Sequence, residues 1–283
     1  MRLIKLALTA TVCALSASVV MADKMAVDTT PAEDLALYRD FFQKRFPGIP
    51  MDEFANGGYA LDKVARDNWE AIEEFPPYEV AIEAGETMWN TPFANGKTYG
   101  DCFGDDPAQR QNFPYWDAKR KMVVTLPLAI NECRADNGEK PMKYNKGPIA
   151  DLLAYMSYES RGQKINVEIP DDPDALAAYN DGKAFYFAKR GQLNFSCASC
   201  HMQSAGQHIR TELLSPAMGH TSGFPVYRSK WGELGTLHRR FGGCNEQVRA
   251  KKFKPQSTEY RNLEYFMTHM SNGIEFNGPS ARK

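Results

Sequence analysis

No histidine occurs in the first 200 residues of this 283-residue chain; His201, His208, His220, His238 and His269 all lie beyond that point. A histidine-ligated metal centre is thereby confined to the C-terminal part. Surplus charge is also missing: Lys and Arg total 34 against 35 Asp and Glu, a formal charge of −1. No overall basic field marks a nucleic-acid binder, so none is expected as a partner. Past the first 22 residues no apolar run approaches the roughly 18 residues that span a bilayer, which excludes a polytopic membrane protein and any membrane insertion of the mature chain. What remains is ordinary for a globular protein, 43% hydrophobic and 24% charged, and argues against wholesale disorder.

Residues 1–22 read as an export signal. Arg2 and Lys5 precede an apolar stretch from Leu6 to Val20, and Val20-Met21-Ala22 offers a small-x-small cleavage site. Cleavage after Ala22 is expected to release a soluble periplasmic protein. Cys13 is lost with the signal, and Val12 before it is a poor match to the small residue that lipoprotein processing requires. Five cysteines then remain: Cys102, Cys133, Cys197, Cys200 and Cys244.

Cys197-Ala198-Ser199-Cys200-His201 is a C-x-x-C-H run, the attachment pattern of a c-type haem. Two thiols at this spacing can add to the two vinyl groups of one haem, and the next residue then offers an imidazole to the iron. A redox dithiol would need a thioredoxin-like context, and half a zinc site would need a second ligand pair; neither is present. One covalently bound haem c is therefore expected. Subtracting its cysteines leaves three, an odd number in an oxidising compartment, so two can pair and one is free or functional.

An internal repeat helps to separate them. At an offset of 111, Leu152 meets Leu263, Met156 meets Met267, Ser160 meets Ser271, Gly162 meets Gly273, Asn166 meets Asn277 and Cys133 meets Cys244. Both stretches read as amphipathic helices closed by glycine. Upstream, Ala84-Gly85 to Trp89 resembles Asp181-Gly182 to Tyr186. The expected fold is mainly α, two tandem cytochrome-c-like domains. Its boundaries are placed at 23–174 for an N-terminal domain without haem and 175–283 for the haem domain. Having neither C-x-x-C-H nor histidine, the first domain cannot hold haem in the usual way. Cys102 and Cys133 would flank the lost iron site and are expected to bond, closing a loop of about thirty residues for on the order of 3–4 kcal/mol. Cys244 is left over.

For the sixth iron ligand, Met218, Met267, Met270, His208, His220 and His238 are generic candidates, the methionines equally readable as core. Cys244 differs. It sits in Arg239-Arg240-Phe241-Gly242-Gly243-Cys244-Asn245, read here as a glycine-permitted turn that brings backbone close to a flat ligand. Arg240, Arg249, Lys251 and Lys252 surround it in sequence, and cations favour the metal-binding thiolate. A buried inert cysteine is the competing reading. His220 and His238 read either as anion-steering groups or as structural hydrogen-bonding residues.

The block from Cys197 through Ala250 resembles the SoxA family, the catalytic cytochrome c subunits of thiosulfate-oxidising SoxAX complexes. It includes Ser215-Pro216, Gly219-His220, Phe224-Pro225-Val226-Tyr227-Arg228, Trp231, Leu234 to Phe241 and Cys244-Asn245. The resemblance extends over nearly the whole mature chain, to Met156 through Gln163. It implies haem thioethers at Cys197 and Cys200, axial ligation by His201 and Cys244, a catalytic persulfide on Cys244 and a substrate-binding Arg240. It also implies the one-haem type, with Cys102 and Cys133 as a disulfide. The activity implied is L-cysteine S-thiosulfotransferase: oxidative coupling of thiosulfate to a cysteine of the carrier SoxYZ. Electrons would leave through a SoxX-like cytochrome in a heterodimer. Three rival readings are a periplasmic electron-transfer cytochrome without chemistry of its own, an enzyme joining two thiosulfates into tetrathionate, and a structural subunit whose haem stabilises a complex.

Overall fold

The computed structural model describes residues 29–209 and 211–282; the expected export signal lies outside the described residues. In chain order the elements are helix α1 (Pro31–Arg45), a 3-10 stretch (Met51–Ala60), α2 (Lys63–Glu73), α3 (Glu79–Asn90), α4 (Gly100–Phe103), strands β1 (Tyr115–Asp117) and β2 (Met122–Val124), α5 (Leu126–Asp136) and α6 (Pro148–Glu159). Then follow α7 (Pro173–Phe187), the short strands β3 (His208–Ile209) and β4 (Glu212–Leu213), β5 (Val226–Arg228), β6 (Glu233–Gly235), α8 (Leu237–Gln247), α9 (Thr258–His269) and β7 (Ser280–Arg282). The protein is mainly helical. Among the described residues no helix is long and apolar enough to cross a membrane.

The sequence repeat is a structural one. Hairpin β1–β2 pairs Trp116 with Val123, and hairpin β5–β6 pairs Tyr227 with Leu234, the same register displaced by 111. Each hairpin feeds a helix capped by threonine: Thr125 Oγ1 accepts from the Leu128 N–H and Thr236 Oγ1 from the Arg239 N–H. The two long helices of each half cross on a glycine. A Cβ at Gly85 would lie 2.2 Å from the Asp151 carbonyl oxygen, and one at Gly182 would lie 2.0 Å from that of Asn262. Only glycine permits α3 to approach α6, and α7 to approach α9, this closely.

The halves meet about a local two-fold axis. Lys164 and Glu275 form an antiparallel bridge. Gly162 N–H donates to Phe276 O at 3.0 Å and Gly273 N–H to Ile165 O at 2.8 Å, while Ile165 N–H donates to Ile274 O and Phe276 N–H to Gln163 O, both at 2.9 Å. Exchanging each residue with its counterpart 111 positions away converts these bonds into one another. A second link is buried: Glu264 on α9 lies 3.9 Å from Arg110 of the first half and 3.0 Å from His238 of the second.

The interiors of the halves differ. In the first, Cys102 and Cys133 are disulfide-bonded across 31 residues of sequence, among Trp89, Phe93, Tyr99, Phe113, Ile130 and Leu152. In the second, a larger cluster gathers Tyr179, Tyr186, Met202, Met218, Phe241, Tyr260 and Phe266. Helix α1 joins this second cluster through Tyr38 and Phe42, although it precedes the first half in sequence. Thr30 and Glu33 form a capping box at its start, and buried Asp34 accepts from Tyr179 Oη at 2.8 Å and pairs with Lys183 Nζ at 2.8 Å.

The Gly182 crossing holds α7 and α9 around the cluster that carries the haem motif. Gly182→Ala forces these backbones apart and should cost about 3 kcal/mol in equilibrium denaturation, the upper end for overpacking. A loss below about 0.5 kcal/mol would contradict the close crossing.

Candidate haem and thiolate site

The C-x-x-C-H run begins at a reciprocal serine cap: Ser199 N–H donates to Ser196 Oγ at 3.0 Å and Ser196 N–H to Ser199 Oγ at 3.2 Å. The chain then enters a wide helical turn, Ser199–Gln203, with Ala198 and Met202 buried in the core. Cys197, Cys200 and His201 are left half-buried at the surface of that core.

His201 is oriented by its own backbone surroundings. Its Nδ1 lies 3.0 Å from the Ser215 carbonyl, which can only accept, so Nδ1 carries the proton and Nε2 keeps its lone pair. That is the tautomer a metal-ligating imidazole needs, fixed from the far ring nitrogen. His220 packs edge-on at 4.4 Å between ring centroids, and its Nε2 is 2.8 Å from Ser215 Oγ. Burial, His201, Arg240 and Arg282 hold the His220 pKa well below the ordinary histidine value, so it is neutral.

Cys244 does not lie in a turn. Residues 237–247 form α8, with Gly242 and Gly243 in its interior. Two glycines cost a helix roughly 2 kcal/mol relative to alanines. Packing outweighs this: Leu237, His238, Phe241 and Asn245 are buried, and Asn245 Nδ2 donates to Phe241 O and to Tyr260 Oη at 2.8 Å. A Cβ at Gly243 would meet nothing within 4 Å, so the helix surface beside Cys244 is bare backbone. The close approach expected of a turn is thus provided by a helix.

Arg240 lies one helical turn before Cys244 and shares its face. Burial tends to raise the Cys244 pKa, but Arg240, the His201 side chain against it and the charge of Arg228 overcome it and bring the thiol down to about 7. The later cations of the sequence are not those responsible; Lys252 pairs with Glu246 at 2.6 Å, both well exposed. Cys197 is pushed up to about 12 by burial and by the Cys244 charge, and Cys200 is raised by the same two causes. The Cys244 charge thus reaches both other thiols, and of the three only Cys244 is drawn toward ionisation near neutral pH.

This donor set fits a c-type haem. Cys197 and Cys200 supply neutral thiols at thioether spacing, His201 an unprotonated Nε2, and Cys244 a soft thiolate in contact with that imidazole. Among the described residues no group of three or more His, Cys, Asp or Glu gathers around a bare metal ion.

Of the other sixth-ligand candidates, His220 packs against His201 with its Nε2 engaged by Ser215, and the rest lie elsewhere. Met218, Met267 and Met270 are buried in the apolar core. His208 is exposed on β3. His238 accepts from the Gln256 N–H on Nδ1 at 3.0 Å, which puts its proton on Nε2 beside Glu264, and His269 Nδ1 is 2.8 Å from Val167 O. Both are structural. Sequence reading did not single out Arg228, whose charge reaches Cys244 from a different strand, nor Ser215, which orients His201. The Phe224–Arg228 block was visible, but only strand pairing brings its arginine to the site.

The titration is directly testable. In haem-free protein carrying Cys197→Ser and Cys200→Ser, alkylation of Cys244 by iodoacetamide should rise with pH through a midpoint near 7. Arg240→Ala should move that midpoint upward; an ordinary thiol midpoint in the parent protein would contradict the electrostatics.

The SoxA/TsdA cytochrome c domain family matches residues 84–165 and 181–276, one stretch in each half. The L-cysteine S-thiosulfotransferase subunit SoxA of Allochromatium vinosum is 66% identical over 255 residues, 90% of this chain and 91% of the relative. The protein of the same name from Chlorobaculum tepidum is 55% identical over 250 residues, 88% of this chain and 87% of the relative. Among solved structures, SoxXA from P. pantotrophus matches with a TM-score of 0.70 and 30% identity, covering 77% of this chain and 84% of that one. With its duplicated helical fold, C-x-x-C-H turn and identity to curated relatives over most of its length, this chain belongs to the SoxA family of c-type cytochromes.

Proposed function

We propose that the protein is an L-cysteine S-thiosulfotransferase that couples thiosulfate oxidatively to a cysteine of a SoxYZ-type carrier. It works in the periplasm as a heterodimer with a SoxX-like cytochrome, a pairing supported by the SoxXA neighbour. We take residues 1–22 as its export signal, 23–174 as a haem-less unit and 175–283 as the unit with a single covalent haem c. Cys197 and Cys200 would hold the haem covalently, and His201 and Cys244 are the residues that would ligate its iron. The observation that carries the reading is the unpaired Cys244 on α8, with Arg240 one turn before it and His201 against it.

The net reaction joins the outer sulfur of thiosulfate to the carrier thiol, giving a cysteine S-thiosulfonate and releasing one proton and two electrons. When bound, the haem would supply a one-electron relay. Arg240 binds and orients the sulfonate end by charge-assisted hydrogen bonds. Cys244, carried as a persulfide, presents a soft sulfur at which sulfane sulfur is held. Neutral His220 adds no competing charge beside His201. Bare backbone at Gly243 leaves room for the ligand face next to Cys244.

The test is thiosulfate turnover by holoprotein with its partner cytochrome, with and without carrier, reading the carrier's mass. A carrier gaining one S-thiosulfonate is expected; tetrathionate formed equally well without carrier would overturn the reading. Arg240→Ala should lower kcat/KM about 10- to 100-fold, the worth of a charge-assisted hydrogen bond, and leave the haem spectrum intact. Unchanged kinetics would remove Arg240 from the site.

A further inference from the structure

We propose that His220 is a positioning residue of the haem site: it holds Ser215 and the His201 ring in one arrangement, and so fixes the plane in which the His201 imidazole meets the iron. The inference rests on the axial role of His201 proposed above, and it adds a residue that acts through another without touching substrate.

The three side chains close a triangle. His201 Nδ1 donates to the Ser215 carbonyl at 3.0 Å, and Ser215 Oγ and His220 Nε2 share a hydrogen bond at 2.8 Å. The His220 ring stands edge-on to the His201 ring, with 4.4 Å between centroids and 83° between planes. Backbone bonds close the same triangle from behind: Ala217 N–H donates to His201 O at 3.0 Å, and His220 N–H to Ala217 O at 3.1 Å. Both oxygens of Ser215 are thereby engaged by the two histidines, one by each.

The loop that carries His220 is itself pinned. Gly219 has φ +75°, and a Cβ there would lie 2.6 Å from Phe54 O in the 3-10 stretch. Only glycine allows both. Its N–H donates to Ser271 Oγ at 3.2 Å, and Ser222 Oγ donates to its carbonyl at 2.7 Å. His220 thus presents its ring from a fixed base.

A single hydrogen bond does not fix an imidazole plane. The ring turns about a broad, two-fold torsion, so Nδ1 could follow a moving carbonyl through a wide arc. The bond from Ser215 Oγ to His220 holds that carbonyl in place, and the edge-on ring limits the arc. What is fixed at Nδ1 matters at Nε2: the strength of the Nδ1–H bond sets the basicity of the ligating nitrogen, and with it the potential of the metal that it binds.

The experiment uses holoprotein in complex with its partner cytochrome and compares wild type with His220→Phe, Ser215→Ala, the double variant and His220→Gln. The readouts are the midpoint potential and ferric electron paramagnetic resonance signal of this chain's haem, and kcat and KM for thiosulfate with carrier. His220→Phe keeps a ring but loses the Ser215 bond. It should weaken ligation of the ferric over the ferrous iron about tenfold, the low end for an outer partner of a ligating histidine, and so raise the potential by about 59 mV. Ser215→Ala should match it, and the double variant should add nothing beyond either, since all break one link. His220→Gln, whose amide can reach Ser215, should recover the potential, and it guards against a variant that fails to fold. Loss of the ring in that variant should broaden the ferric signal through a spread of imidazole planes. In His220→Phe, kcat should fall and KM stay, because Arg240 is untouched. Unchanged potential and signal in His220→Phe overturn the proposal. So do additive shifts in the double variant, for His220 would then act apart from Ser215. Pulsed resonance that finds no histidine nitrogen on the wild-type iron would sink the ligation reading and this inference with it; a histidine-ligated iron with unmoved variants would sink this inference alone.

Discussion

The site depends on a balance of charge around one sulfur. Cys244 is half-buried, which alone would keep it a thiol. Arg240, His201 and Arg228 draw it down to about 7, while burial and the Cys244 charge raise Cys197 and Cys200. Three chemically identical side chains thereby receive two different tasks from their surroundings. The neutral pair suits thioether formation, and the anionic one suits a soft metal and a sulfane sulfur. The scaffold has to hold β5, α8 and the C-x-x-C-H turn in fixed relation for this to persist.

The duplicated architecture does so from both sides. Each half repeats one plan, a hairpin, a threonine-capped helix and a glycine crossing, and the two are stitched about the Lys164–Glu275 bridge. In the first half the plan encloses a disulfide and aromatic side chains. In the second it leaves the cysteine equivalent to Cys133 unbonded on α8. The buried Arg110–Glu264–His238 contact anchors that same helix against the first half, two residues before Arg240. The first half therefore acts as a brace for the half with the C-x-x-C-H turn, as does α1, whose Asp34 contacts fasten it to α7.

Much of this was legible because its signals are chemical or periodic. C-x-x-C-H encodes its own function in spacing, and the repeat could be read from paired glycines and cysteines whose geometry demands them. Gly85 and Gly182 are a clear instance: their similarity in sequence is a backbone crossing in space. What escaped is tertiary. Gly242-Gly243 reads locally as a turn, yet buried Phe241 and Asn245 keep it helical. Arg228 is sixteen residues from Cys244 in sequence and gains its meaning only from strand pairing. The swap of α1 onto the second core depends on a buried Asp34–Lys183 pair that no local pattern announces.

The most direct test of the account is the intact mass of mature holoprotein, taken before and after cyanide treatment. One haem, one disulfide and one extra sulfur that cyanide removes are predicted, with the sulfur mapping to Cys244. One haem with no removable sulfur would contradict Cys244 as a sulfur carrier and return the chain to the class of plain electron-transfer cytochromes.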